Sequence, residues 1–320
     1  MELFPRGGFA GETADPGSGF FTGRWPQARK DREMLMSIRK LTVMGLVVLT
    51  GLVAWSQPVR AEEEAGAEKP KLNVGGVEGE GGSIKGVVKY TSQVQNSKKM
   101  INMSSDKFCN EAHPDGVADQ QHRVFGKNGE DNTLQNVFVW VSKGVDPKAA
   151  PASTLKPEID QLGCLYHPRV SGMVAGQTLE IHNSDKTTHN VNMTSRKNGK
   201  FNQSQPALSK PVLHEMKKEE LGTAVFKCDV HTWMNAYVNV VEHPYFAVTQ
   251  EDGTFEIHGL PPGEYEISTW HEYKRYKPDQ ETYQVTVEED EPAEVVISYA
   301  SQSSNKAPGA GEAVEEGGGD

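Results

Sequence analysis

In the stretch FKCDVHTWMNAY, residues 226–237, Cys228, His231 and Met234 fall at i, i+3 and i+6. A thiolate, an imidazole and a thioether thus lie within one short loop, after the strand-like run TAVF and before YVNVV. A second imidazole, His189, stands well upstream of the cysteine in TTHNVNM. Two imidazoles, one thiolate and an axial thioether are the ligand set of a mononuclear electron-transfer copper site. Copper that cycles between its two charges prefers a different geometry in each. A trigonal plane of two nitrogens and one sulfur, with a weak axial ligand, accepts both with little movement.

These ligands need a rigid frame. Between about Ser83 and Ala300 nearly every apolar run is short, β-branched or aromatic, and bounded by turn residues. Candidate strands are 84–90, 136–141, 177–183, 190–195, 212–216, 223–228, 235–241, 246–249, 254–260, 264–270, 283–288 and 294–300. Only SSDKFCNEA, residues 104–112, has the makings of a helix, with a Ser cap at its start. Many short strands at this spacing predict an all-β sandwich or barrel. In that frame Cys228 ends a strand and points inward, His231 sits at the loop tip, and Met234 opens the next strand. His189 closes the site from another strand. Asn190, directly after it, is placed to hydrogen-bond across to the cysteine loop and fix its shape.

Other residues compete for these roles. Met193 and Met173 are rivals for the axial position. The phrase CLYH places His167 near Cys164, and Cys109 and His113 are i and i+4, so either could form a second metal pair. With Cys228 assigned to metal, Cys109 and Cys164 remain as an even pair. An oxidising compartment would join them as a disulfide, and the alternative is two unrelated buried thiols. His182, His243, His258 and His271 read as solvated.

The segments YHPRVSGMVAGQTLEIHNSDKTTHNVNM and TAVFKCDVHTWMNAYVNV together resemble the cupredoxin family, the plastocyanin- and amicyanin-like blue copper proteins. The resemblance begins at Tyr166 and ends at Val240. It implies a Greek-key sandwich holding one type 1 copper on His189, Cys228, His231 and Met234. It also implies electron passage through His231, with that ring's edge at the surface. A second phrase, VTQEDGTFEIHGLPPGEYEISTWHE, resembles the carboxypeptidase regulatory-like, transthyretin-like β-sandwich, in the part of the chain that follows His243. The usual opening strands of such a module look more like GSIKGVVKY and NVFVWV, far upstream. Two arrangements stay open: a copper domain inserted into the regulatory-like sandwich, or two consecutive sandwiches.

The flanks bear on location. Ser37–Lys40 is basic, Leu41–Trp55 is a nearly uncharged apolar run, and a small-x-Ala exit follows at 59–61. That is the pattern of a secretory signal peptide, and the run is short of the roughly 20 apolar residues a membrane span needs. An uncleaved anchor is the other reading. Residues 1–33 have no such character and read as an upstream extension ahead of Met34 and Met36. The expected organisation is therefore 1–33 extension, 34–61 signal peptide, 62–82 disordered linker and 83–150 β region associated with the sandwiches. Then come 151–243 copper domain, 244–300 regulatory-like module and 301–320 disordered tail.

The net charge of the 320-residue chain is −11. Without residues 1–61 it holds 25 basic and 39 acidic residues, or −14. No basic stripe marks a nucleic-acid partner. No His-x-His pairs for a multicopper centre, nucleophile elbow, phosphate loop or dinucleotide fingerprint appears. The sequence therefore predicts an exported, periplasmic or secreted copper protein and no enzyme. Its mature chain would lack a membrane span, and its donor and acceptor would be redox proteins such as a cytochrome c or a periplasmic dehydrogenase. The contrasting expectation is a structural or adhesive envelope β-sandwich protein whose copper site is vestigial or serves storage.

Overall fold

The computed structural model describes residues 77, 81–92, 100–122, 124–125, 132–289 and 291–302. The expected upstream extension and signal peptide lie outside the described residues, as do nearly all of the linker and the tail beyond residue 302. The described chain is almost entirely β, built as two sandwiches. Among the described residues no helix is long and apolar enough to cross a membrane.

The first sandwich combines segments far apart in sequence. In one sheet Gly82–Tyr90 runs parallel to Ala293–Ser301 and antiparallel to Thr254–Leu260. In the facing sheet Phe138–Lys143 lies between Phe246–Val248 and Gly263–Trp270, and the latter pairs with Thr282–Val287. Alternation sends Ile84, Val88 and Tyr90 inward from the first strand, where they meet Val139, Val141, Ile257, Ile267 and Tyr299 in one apolar core. The strands upstream of residue 144 thus complete a sandwich whose remaining strands follow residue 245. Of the two arrangements left open by the sequence, this is the inserted one.

The second sandwich occupies the interval. One sheet has the order Val212–Glu215, Thr178–Asn183, Glu158–Leu162, Leu165–His167. The other has the order Lys200–Gln205, His189–Thr194, Glu220–Lys227, Asn235–Val241, Val170–Val174. Neighbours in these sheets are often not consecutive in sequence, so the connections cross between sheets in Greek-key fashion. Ile159, Leu179 and Ile181 from the first sheet pack on Val191, Met193, Phe226 and Val238 from the second. Four of these strands, at 158–162, 165–167, 170–174 and 200–205, are not among the sequence candidates. Lys200–Gln205 is mostly solvent-facing and so carries no apolar alternation.

A smaller apolar cluster of Phe138, Val170, Val241, Phe246 and Val248 seals the two sandwiches together. Gly172 lies in this seam, where an added Cβ would stand 2.4 Å from the Phe246 ring. Beside it Arg169 and Glu272 form a two-pronged ion pair, with Nη2 2.7 Å from Oε2.

Between Gly82–Tyr90 and Phe138–Lys143 the first sandwich sends out an excursion, residues 100–122, that packs onto the second. Met103 and Cys109 are buried in the core of the inserted sandwich. The helix here is Lys107–Ala112, shorter than expected. Its cap is Asp106, whose side chain accepts a 2.9 Å hydrogen bond from the Cys109 amide, and not Ser104. A carboxylate at this position satisfies an amide that the helix itself leaves without a partner.

Candidate metal centre

Strand pairing explains the convergence of the candidate ligands. His189 opens the strand His189–Thr194, which lies antiparallel to Glu220–Lys227, and Cys228 follows that strand directly. The loop to Asn235–Val241 closes on itself, with the Met234 amide donating to His231 O (2.9 Å) and the Cys228 amide to Met234 O (3.3 Å). Two strand ends and one tight loop thus deliver the His189, Cys228 and His231 side chains to one end of the sandwich.

His189 Nδ1 lies 2.8 Å from His231 Nδ1, and Cys228 Sγ lies 3.9 and 3.8 Å from the same two nitrogens. His189, His231 and Cys228 are 0, 1 and 2 % exposed respectively. Met234 is fully buried in the same apolar cluster as Cys228. Met193 and Met173 are core residues of the sandwich as well.

The outer nitrogens are also held. His189 Nε2 lies 2.8 Å from Asp185 Oδ2, and His231 Nε2 lies 3.3 Å from Asp106 Oδ2. When both Nε2–H groups donate outward, both Nδ1 lone pairs face the centre. Their 2.8 Å contact then requires one proton between them. The surrounding charges favour that proton. Burial opposes charge on His189, but Asp185 and Cys228 outweigh it and raise its pKa to about 9. Burial likewise opposes the Cys228 thiolate, yet His189, His231 and the amides of Asn190 and His231 lower its pKa to about 6.

The donor set fits a copper ion. Three donors bonded at roughly 2.0–2.3 Å around a common ion stand about 3.5–3.8 Å apart. The two sulfur–nitrogen edges already have nearly that length. The nitrogen–nitrogen edge is shorter, at 2.8 Å, and would lengthen around an ion. Soft thiolate and thioether beside two imidazoles is a donor combination that favours copper over harder cations.

Asn190 performs two tasks. Its Oδ1 accepts from the amides of Asp229 (2.5 Å) and Val230 (3.3 Å), and its own amide approaches Cys228 Sγ at 3.5 Å. Asp229 in turn accepts from the side-chain amides of Asn190, Asn192 and Asn202 at 2.7–3.1 Å. The cysteine loop is therefore clamped to the neighbouring strand from both sides.

The expectation that the edge of His231 reaches the surface is corrected. The excursion lies over it, with Asp106 and Cys109 Sγ (3.7 Å) against its Nε2. Trp233 packs beside the same ring, at 5.1 Å between centroids, and donates to Cys164 O. Cys109 and Cys164 are joined as a disulfide, leaving Cys228 as the free thiol. His113 is bound to Gly163 O at 2.8 Å and does not face a metal with Cys109. His243 and His271 are buried rather than solvated, whereas the His258 side chain is half exposed.

Asp106 and Asp185 contact the two candidate histidines and Asp229 braces the cysteine loop, and the ligand pattern singles out none of them. Two signals for them exist. Asp185 precedes His189 across a turn, at i and i+4, and Asp229 directly follows the cysteine.

Residues 213–300 match the model of the SpaA prealbumin-like fold domain family. No curated protein matches the chain. Among solved structures, a copper-containing nitrite reductase from Thermus scotoductus SA-01 is 18 % identical with a TM-score of 0.25. That match covers 32 % of this chain and 25 % of the reductase, so the chain spans about a quarter of that protein's length. A purple cupredoxin from Nitrosopumilus maritimus is 20 % identical with a TM-score of 0.22, over 27 % of this chain and 99 % of its own. Amicyanin from Paracoccus versutus is 17 % identical with a TM-score of 0.24, over 32 % of this chain and 97 % of its own.

Proposed function

We propose that the protein is an exported type 1 copper protein that carries single electrons between redox partners and catalyses no reaction itself. The observation that carries this is the convergence of the buried His189, His231 and Cys228 side chains, with Met234 buried in the core cluster that also holds Cys228. A copper ion bound there would supply one-electron redox chemistry. The chain's own part is to hold the two imidazoles and the thiolate in one plane for both charge states. Asn190 and Asp229 keep the cysteine loop in place, and the apolar core excludes water. The partners would be redox proteins of the cell envelope, a cytochrome c or a periplasmic dehydrogenase among them. The basic-then-apolar segment at 37–55 supports export.

One observation favours a second reading. The burial of His231 under the excursion leaves that imidazole without a solvent-facing edge, which suits a storage or structural site in an envelope β-sandwich protein better than rapid exchange. Voltammetry of the copper-loaded protein separates the two. A reversible one-electron wave, lost in Cys228→Ser, supports the carrier. A protein that retains copper(I) with no reversible wave supports storage.

A further inference from the structure

We propose that the Cys109–Cys164 disulfide belongs to the metal centre as a positioning device, locking the two carboxylates that aim the ligand histidines. This rests on the copper-site reading above and adds to it residues that no ligand pattern contains.

Each half-cystine is tied to one carboxylate, and each carboxylate to one imidazole. The Cys109 amide donates to Asp106 Oδ1 at 2.9 Å, and Asp106 Oδ2 lies 3.3 Å from His231 Nε2. The Cys164 amide donates to Asp185 Oδ2 at 2.8 Å, and the same oxygen lies 2.8 Å from His189 Nε2. The Nδ1–Nδ1 contact of the two histidines and the sulfur–sulfur bond complete a closed circuit. It runs Asp106, His231, His189, Asp185, Cys164, Cys109 and back to Asp106.

Further ties brace the circuit. Gly163 donates its amide to Asp185 Oδ1 at 2.6 Å, and Trp233 Nε1 donates to Cys164 O at 3.0 Å. The Thr187 hydroxyl donates to Asp106 Oδ2 at 3.3 Å. Gly163 and Cys164 form the tight turn between Glu158–Leu162 and Leu165–His167, with φ of 60° and 57°. Positive φ at both central residues is what a type I′ hairpin turn requires, and a non-glycine residue in the second place is uncommon. A disulfide that only stapled the excursion to the sandwich could join them at many places. This one joins them where both ends contact the outer faces of the ligands. Partners of this kind fix the direction of a ligating imidazole, and their loss weakens metal binding by about 10–100-fold.

The test compares the full chain with Cys109→Ala/Cys164→Ala and with Asp106→Ala, using cobalt(II), which keeps its charge state without added reductant. We expect both folded variants to bind cobalt(II) about 10–100-fold more weakly than the parent. In the metal-free proteins, the imidazole nitrogen NMR resonances of His189 should move along with those of His231, because the circuit links them. A folded double variant with cobalt affinity within about two-fold of the parent and unmoved His189 resonances would overturn the proposal. Should the double variant fail to fold, Asp106→Ala, at a half-buried position, decides the matter by the same resonances. A parent that binds neither cobalt nor copper would refute the copper reading alone, since the metal-free resonances still judge the circuit.

Discussion

The two sandwiches bury polar groups in opposite ways. In the sandwich formed by the outer segments the hydroxyls of three buried tyrosines are each settled by a partner in the same sandwich. Tyr299 donates to Thr269 Oγ1 at 2.8 Å, Tyr283 to Asp279 at 2.6 Å and Tyr265 to Pro261 O at 2.7 Å. In the inserted sandwich His189, His231 and Cys228 instead turn their lone pairs toward one another, with Asp185 and Asp106 behind them. A pairwise arrangement satisfies burial and needs nothing further. A convergent one concentrates electron-pair donors at a point, which only a proton or a cation can reconcile. Burial of polar groups alone does not mark a site, whereas their convergence does.

The comparison can be broken at the seam first. Glu272→Gln would leave the Arg169 guanidinium buried without its counter-charge, and we expect a loss of about 3–5 kcal/mol in stability, read by denaturant unfolding. If the sandwiches depended little on each other, the loss would be confined to one of two separate transitions.

Ile257→Ala opens the core of the outer sandwich, where the side chain is 1 % exposed. A loss of about 2–5 kcal/mol is expected. The optical spectrum of the copper-loaded protein should not change, because the altered core contains none of the ligands. A changed spectrum would show that the outer sandwich also shapes the metal centre.

The smallest effect concerns pH. Burial would push the Glu220 carboxyl up, but the hydroxyls of Ser195 and Thr223, the Arg196 amide and the Asn198 side chain hold it at about 2, against an ordinary 4.5. Its folded-state pKa is depressed, so its stabilisation is complete above 4.5 and is lost as pH falls toward 2. Glu220→Gln should therefore flatten the acid limb of the stability curve between those values. An unchanged limb in that variant would assign the acid sensitivity to other carboxylates.

Much of this was legible in the chain. The short β-branched runs announce the all-β class, because alternation needs no tertiary information. The i, i+3, i+6 spacing of Cys228, His231 and Met234 was legible because one loop carries all three. The upstream resemblance of GSIKGVVKY and NVFVWV to the outer sandwich left insertion open, and the pairing of Gly82–Tyr90 with Ala293–Ser301 decides it. What escaped was non-local. Lys200–Gln205 is an edge strand with little buried surface, so no apolar pattern announces it. Asp106 reaches His231 only because an excursion from one sandwich folds over the end of the other, bringing together residues far apart in the chain. No spacing rule encodes that approach, and for the same reason the burial of His231 could not be foreseen.

The central claim is that His189, Cys228, His231 and Met234 hold one copper ion through a cysteine thiolate. An optical spectrum of the copper(II)-loaded protein tests it most directly. The account predicts about one copper per chain and strong absorption near roughly 600 nm from thiolate-to-copper charge transfer, abolished by Cys228→Ser and retained in Met173→Leu. A colourless protein, one that takes zinc but no copper, or a Cys228→Ser variant that keeps the band would contradict it.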